Sequence, residues 1–169
     1  MTRRRQRGSA MVEFALAGIA SIFLIISTFH LAVGMWNYHV LANAVHETTR
    51  YVAVKGVNCT KPGNSCSVSV GTIAAKFKEY AIGIPTDQVI FTLSPQVTAA
   101  TTCNPLNTCF ATGTTWPPST NSDNAIGKRI TVSATYRFRS PMAFFWPSQG
   151  AVQVGEIWFP ASSTQTILF

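Results

Sequence analysis

The groups in this chain best placed to do chemistry are its cysteines, its histidines and a few carboxylates, and their spacing limits what that chemistry can be. Four cysteines fall as two close pairs, Cys59/Cys66 and Cys103/Cys109. On the oxidising side of a membrane an even count favours disulfides, and four cysteines allow three connectivities. The two local pairings are the expected ones, because each closes a short loop rich in Pro, Asn and Ser. A four-thiolate zinc site is the rival, but these spacings lack the Cys-x-x-Cys knuckle. His39 and His46 stand seven apart on one helical face. No Asp, Glu or His occupies the turn between them to complete a metal set, so solvated or packing histidines are expected.

Catalysis has little to work with. Past the apolar N-terminal stretch the acids are Glu47, Glu79, Asp87, Asp123 and Glu156, too scattered to nominate a general acid and base. No histidine follows His46, which removes the Ser/His and Cys/His centres from the C-terminal region. A P-loop, a Gly-rich dinucleotide turn and a Gly-x-Ser-x-Gly elbow are all missing. A non-enzymatic protein with no catalytic residue, cofactor, metal or small-molecule substrate is the expectation. A basic balance of +7 suggests nucleic acid, yet Arg3, Arg4, Arg5 and Arg7 supply four of those charges in one short tail. The remaining +3 forms no basic stripe, so no nucleic-acid partner is expected.

The element that must carry the remaining groups is an apolar helix. From Phe14 to Trp36 there is no Asp, Glu, Lys or Arg. At ~1.5 Å per residue, about 20 residues cross a ~30 Å hydrocarbon core, so this run spans a bilayer with some room for tilt. The Arg cluster should stay cytoplasmic, placing the chain after Trp36 on the far side, with Trp36 and Tyr38 at the outer interface. His30, the one readily ionisable side chain in the run, reads as a neutral imidazole near that interface or against a neighbouring helix. A cleaved secretory signal is the competitor, and Ala42-Asn43-Ala44 resembles its cleavage site. The apolar run is longer than the ~7–15 residues of a signal core, and Glu13 interrupts its start, so an anchor is preferred.

Glu13 is the most informative residue. A carboxylate at mid-membrane costs ~2.5–3.5 kcal/mol on insertion scales, and less at an end. A bland role is available, at the cytoplasmic headgroups and paired with Arg7. The surroundings argue for more: Arg7-Gly8, then Ser9-Ala10-Met11-Val12, then Glu13-Phe14 at the head of the apolar run. This order resembles the type IV prepilin pattern, a basic leader ending in Gly, four intervening residues, then Glu and an aromatic. The wider stretch RGSAMVEFALAGIASIFLIISTFHLAVGMWNYHVLANAVHETTRYVA resembles the TadE-like proteins of tight-adherence (Tad) pilus systems. Their helical segment after the anchor is matched here by Ala42, Ala44 and Arg50, and RITVSATYRF is weakly similar to their alternating Val/Thr strand.

The resemblance implies a TadE-like pseudopilin or minor pilin, a structural subunit in the bacterial inner membrane. It implies cleavage between Gly8 and Ser9 by a prepilin peptidase. It also implies an assembly role for Glu13 and Phe14, with other pilins or pseudopilins and the lipid bilayer as partners. Cleavage would remove the Arg cluster and leave an ammonium on Ser9, one helical turn from Glu13; in a low-dielectric setting both charges need partners. In pilins the Glu is thought to meet the amine of a neighbouring subunit. Two features depart from the pattern. Gly18-Ile19-Ala20 stands where family members often carry Pro, and Ser9 replaces the methylated Phe of many type IV pilins. The competing function class is a membrane-tethered binding or adhesin module that is not processed as a prepilin.

Beyond the anchor the fold class expected is α+β, a long N-terminal transmembrane helix extending into a small antiparallel-sheet domain with one short helix. The boundaries expected are 1–8 for the leader, 9–56 for the anchor and its extension, and 57–169 for the outer domain. Leu41, Ala44, Val45, Thr48 and Val52 recur at helical spacing, with Asn43, His46, Glu47 and Arg50 off that stripe and Gly56 as the end. Residues 71–84 read as a short helix presenting Ile73, Phe77 and Tyr80. Residues 87–97 read as a strand. In 128–138, Ile130, Val132, Ala134, Tyr136 and Phe138 alternate with polar neighbours, which predicts a half-buried strand. Residues 151–159 read as a further strand and 165–169 as an edge. Residues 99–127 read as one long loop, in which Phe110 and Trp116 either meet a partner or cover the domain's own core. Asn58-Cys59-Thr60 matches a glycosylation sequon, a pattern common by chance. No internal repeat is present.

Overall fold

The computed structural model describes residues 6–59, 66, 68–139 and 156–168, with the side chains of 6–9 left aside. The first five residues, residues 151–155 of the expected strand and Phe169 lie outside that set. The long apolar run and the stripe that follows it belong to one helix, α1, Gln6–Ala53. Two units divide the chain, Met1–Trp36 and Asn37–Phe169.

In the first unit the apolar side chains of α1 are bare. Met11, Phe14, Leu16, Leu24 and Phe29 are each more than 60% exposed. Such a helix has no internal core to account for its composition, and a lipid environment does account for it. Two of its hydroxyls are satisfied within the helix, Ser21 donating to the Ala17 carbonyl at 2.8 Å and Thr28 to that of Leu24 at 2.9 Å. Back-bonding of this kind removes a free polar group from an apolar surface. Among the described residues this is the one helix long and apolar enough to cross a membrane.

In the second unit the same helix changes partner. Leu41, Ala44, Val45, Thr48 and Val52 are all buried, as their spacing requires, and Asn43, His46 and Arg50 face out. Thr48 and Thr49 are fully buried without penalty because their hydroxyls donate to the Ala44 and Val45 carbonyls. The helix ends at Ala53, three residues before Gly56. Helix α2, Val70–Tyr80, starts where Ser69 accepts the Thr72 N–H, an N-cap, and buries Ile73, Ala74 and Phe77. Tyr80, expected on that face, is only half-buried. The helix stops short of the expected residue 84, and a turn through Gly83 at φ +84° leads away from it.

Four antiparallel strands make one sheet: β1 Val89–Ser94, β2 Thr101–Cys103, β3 Arg129–Arg139 and β4 Glu156–Thr166, in the order β2-β1-β3-β4. Along β3 the alternation holds throughout, with Ile130, Val132, Ala134, Tyr136 and Phe138 buried. Those residues, with Val89, Phe91 and Leu93 of β1, share one core with Leu41, Val45 and Val52 of α1 and with Ile73 and Phe77 of α2. The second unit is thus α+β, with helical and sheet side chains filling a common interior.

Three expectations need correction. The segment expected as a strand over 87–97 opens with a 3-10 turn, Thr86–Gln88, and is extended only over Val89–Ser94. The stretch 99–127 is not structureless: β2 lies in it, as do 3-10 turns at Leu106–Cys109 and Thr120–Ser122. Where two separate strands were expected near the C-terminus, one unbroken strand runs from Glu156 to Thr166. Pro160 lies within it. On an edge strand, where the missing N–H faces away from the ladder, proline is tolerated, and β4 is the edge.

Candidate assembly site

The residues proposed for processing and assembly all lie on α1. Gly8 and Ser9 fall in its first turn, and Ser9 and Glu13 are four residues apart, hence on the same side of the helix and ~6 Å along its axis. Glu13 and Phe14 are exposed, Phe14 at 81%. A carboxylate and an aromatic thus stand together on a helix surface that is otherwise apolar.

Further along α1, Arg50 lies 3.4 Å from Glu47, and the Nδ1 of His46 lies 3.7 Å from the same carboxylate. All three are solvent-facing, so the trio contributes little to stability. Among the described residues no group of three or more His, Cys, Asp or Glu could hold a metal ion.

Both local disulfides are formed, Cys59–Cys66 with Cα atoms 5.3 Å apart and Cys103–Cys109 with 5.6 Å. The second ties β2 to the turn that rests on α2. Gly71, in the first turn of α2, lies so close to this turn that a Cβ there would stand 2.6 Å from the Phe110 carbonyl oxygen. The Gly71 N–H in turn donates to Thr112 at 2.9 Å. Closing a loop this short removes denatured-state entropy worth ~2 kcal/mol in the chain-entropy account. Replacing Cys103 and Cys109 together with alanine is therefore expected to lower the denaturation midpoint of the outer unit. Non-reducing peptide mapping of the wild type should find the two local pairs and no free thiol.

The loop aromatics point to the domain itself. Trp116 is 2% exposed and belongs to the core, its backbone N–H donating to the Val68 carbonyl. Phe110 is half-buried, with the Lys78 ammonium 5.5 Å from its ring centre.

One bracing side chain escaped sequence reasoning. Asp123 is fully buried and accepts the backbone N–H of Val97 at 3.0 Å and of Thr98 at 2.7 Å, bracing two segments 25 residues apart. Its only signal was a lone acid in a Ser/Asn-rich turn. Burial, the largest influence, pushes its carboxyl upward. The Thr98 hydroxyl, the Thr98 and Val97 amides and the Lys128 charge together outweigh it, leaving the group below the usual carboxylate range. A depressed folded pKa contributes stability that is present above the unfolded value, near ~3.9, and is lost as pH falls through the folded value. Stability of the outer unit should hold above about pH 5 and fall below about pH 4. Asp123→Ala should lose ~2–3 kcal/mol at neutral pH, since two buried N–H groups lose a charged acceptor, and should flatten the acid limb of the profile. Urea titrations at several pH values measure both.

With this geometry in view, comparison with known proteins is informative at one end of the chain. Residues 8–50 match the family model described as TadE-like protein. The chain carries a TadE-like N-terminal segment. The match opens at Gly8, takes in Glu13, Phe14 and the whole apolar run, and closes at Arg50, about a quarter of the chain. No curated protein and no solved structure matches the chain. The TadE-like segment and the single candidate membrane helix among the described residues fit a single-pass membrane protein. The sheet and its disulfides lie outside the matched residues.

Proposed function

We propose that this protein is a minor pilin or pseudopilin of a tight-adherence pilus system, a structural subunit rather than an enzyme. The observation that carries the reading is the TadE-like match, which begins at Gly8 and includes Glu13-Phe14 at the head of an exposed apolar helix. In this reading the Arg-rich leader holds the N-terminus in the cytoplasm, and the sheet domain lies on the periplasmic or extracellular side, where its disulfides persist. A prepilin peptidase cuts between Gly8 and Ser9. The new Ser9 ammonium and the Glu13 carboxylate then seek opposite charges, and a neighbouring subunit supplies them. Before cleavage, four arginines keep the helix at the cytoplasmic surface and the pairing is blocked.

Intact-mass measurement of protein extracted from membranes tests this directly. A mature chain beginning at Ser9 is expected. A chain that keeps the Arg tail would overturn the processed-pilin reading in favour of an unprocessed membrane-tethered binding module.

A further inference from the structure

The outer face of the sheet, away from the helices, carries many hydroxyls, interspersed with Ile90, Arg137 and Trp158. Thr92 meets Thr102 at 3.3 Å, and Thr131 meets Thr164 at 2.8 Å, across neighbouring strands. At one end of this face stands Trp158, half exposed. It is the cross-strand partner of Arg137, whose guanidinium carbon lies 6.0 Å from the indole ring. Both project outward, because Tyr136 and Phe138 on either side of Arg137 are buried in the core. The guanidinium thus lies within cation–π range of a half-exposed indole.

Beside the ring is a groove of about 160 Å³ lined by Asp87, Gln88, Ile90, Asn104, Arg137 and Trp158. Its components come from five places: the turn before β1, β1 itself, the turn after β2, and strands β3 and β4. We propose that this groove binds one residue of a neutral polysaccharide, with Trp158 as the stacking platform. The ring supplies an apolar surface for the C–H face of a pyranose. A carboxylate, a guanidinium and two carboxamides supply donors and acceptors for its hydroxyls. Asp87 and Arg137 offset each other in formal charge, which favours an uncharged ligand over a phosphate or an acidic polymer. The volume suits a single sugar ring and is well under the ~300 Å³ of an ordinary small-molecule pocket. Cleavage of the glycan does not follow, because a glycosidase needs two carboxyl groups and the groove holds one. Affinity at a single site is weak. Display of many copies would raise it by multivalency, and that step alone rests on the pilin reading.

The test uses the full chain in detergent micelles over immobilised cellulose, chitin, mannan and dextran, with heparin as an acidic control. Retention on at least one neutral polymer is expected, and it should persist at high salt, where charge-driven capture is screened. Trp158→Ala should weaken it about tenfold, and Trp158→Tyr, which keeps a stacking face, by about threefold or less. Gln88→Ala, at a half-buried position in the groove, should also weaken it, and it keeps the proposal testable if Trp158→Ala folds poorly. Retention on none of the neutral polymers would overturn the proposal. So would Trp158→Ala and Gln88→Ala binding as well as wild type, or salt-sensitive retention on heparin alone. Piliation scored in a Trp158→Ala strain separates the two readings, since assembly should be normal there.

Discussion

Phe77→Ala is expected to remove ~3–5 kcal/mol from the stability of the outer unit. Phe77 is fully buried on α2, and its ring centre lies 4.8 Å from that of Phe91, itself fully buried on β1. This aromatic pair joins the short helix to the sheet, so truncation loses both the transfer energy of the ring and the contacts of its partner, and leaves a cavity between rigid elements. Domains of this size are stable by only ~5–15 kcal/mol, so the loss amounts to a large fraction of the whole. The melting temperature should fall by more than about 10 °C. Ile82→Ala is the control: Ile82 is 77% exposed just beyond the same helix, and its loss should fall within ~0.5 kcal/mol. Near-UV circular dichroism during urea unfolding reads both, because it follows the loss of aromatic packing in the sheet domain. A Phe77→Ala protein as stable as Ile82→Ala would show that the helix and sheet are not energetically joined at this pair.

Glu13→Ala is expected to abolish surface pili while leaving the membrane level of the protein unchanged or slightly raised. An anchor alone gains from losing a carboxylate at the head of its apolar run, so insertion should not suffer. An assembly device loses its register. Removing one member of a buried ion pair leaves the other charge stranded, at ~3–5 kcal/mol, which is more than a hundredfold in subunit association. Glu13→Gln should behave alike, since it keeps the shape and removes the charge. Gly8→Val should act one step earlier, with a precursor accumulating that still carries the Arg leader. Pili are scored at the cell surface, with membrane abundance and N-terminal mass followed in the same strains. Normal piliation by Glu13→Ala would make the carboxylate incidental. Loss of both insertion and piliation would assign it to topology instead.

Much of the fold was legible because it is written in short periods. The stripe Leu41, Ala44, Val45, Thr48 and Val52 repeats with the turn of a helix, and all five residues are buried. Ile130 to Phe138 alternate with the pleat of a strand, and every inward position is buried. The anchor needed only length and the absence of charge. The cysteine pairs were close enough in sequence that the local loops could be named. Gly8, Ser9, Glu13 and Phe14 could be singled out because the pattern they resemble is an order along one segment, which the TadE-like match over residues 8–50 includes.

What escaped was non-local or too short to carry a period. Strand β2 is three residues, Thr-Thr-Cys, and extends only because Leu93, Thr92 and Phe91 hydrogen-bond alongside it. β4 runs through Pro160 because eleven paired positions on β3 hold it straight at an edge where a missing N–H is harmless. Trp116 turned inward because Val68 offered its backbone a partner nearly fifty residues away.

By itself, then, the amino-acid sequence determined which faces of this protein are apolar, that one helix is long enough to cross a bilayer, and where the TadE-like segment begins. Hydrophobic period and charge placement are properties of neighbours along the chain. The tertiary structure alone decided that Asp123 braces Val97 and Thr98, and that Asp87, Asn104, Arg137 and Trp158 border one groove. Those groups are brought together by strand register and loop closure, whose free energy comes from a core that no single segment contains.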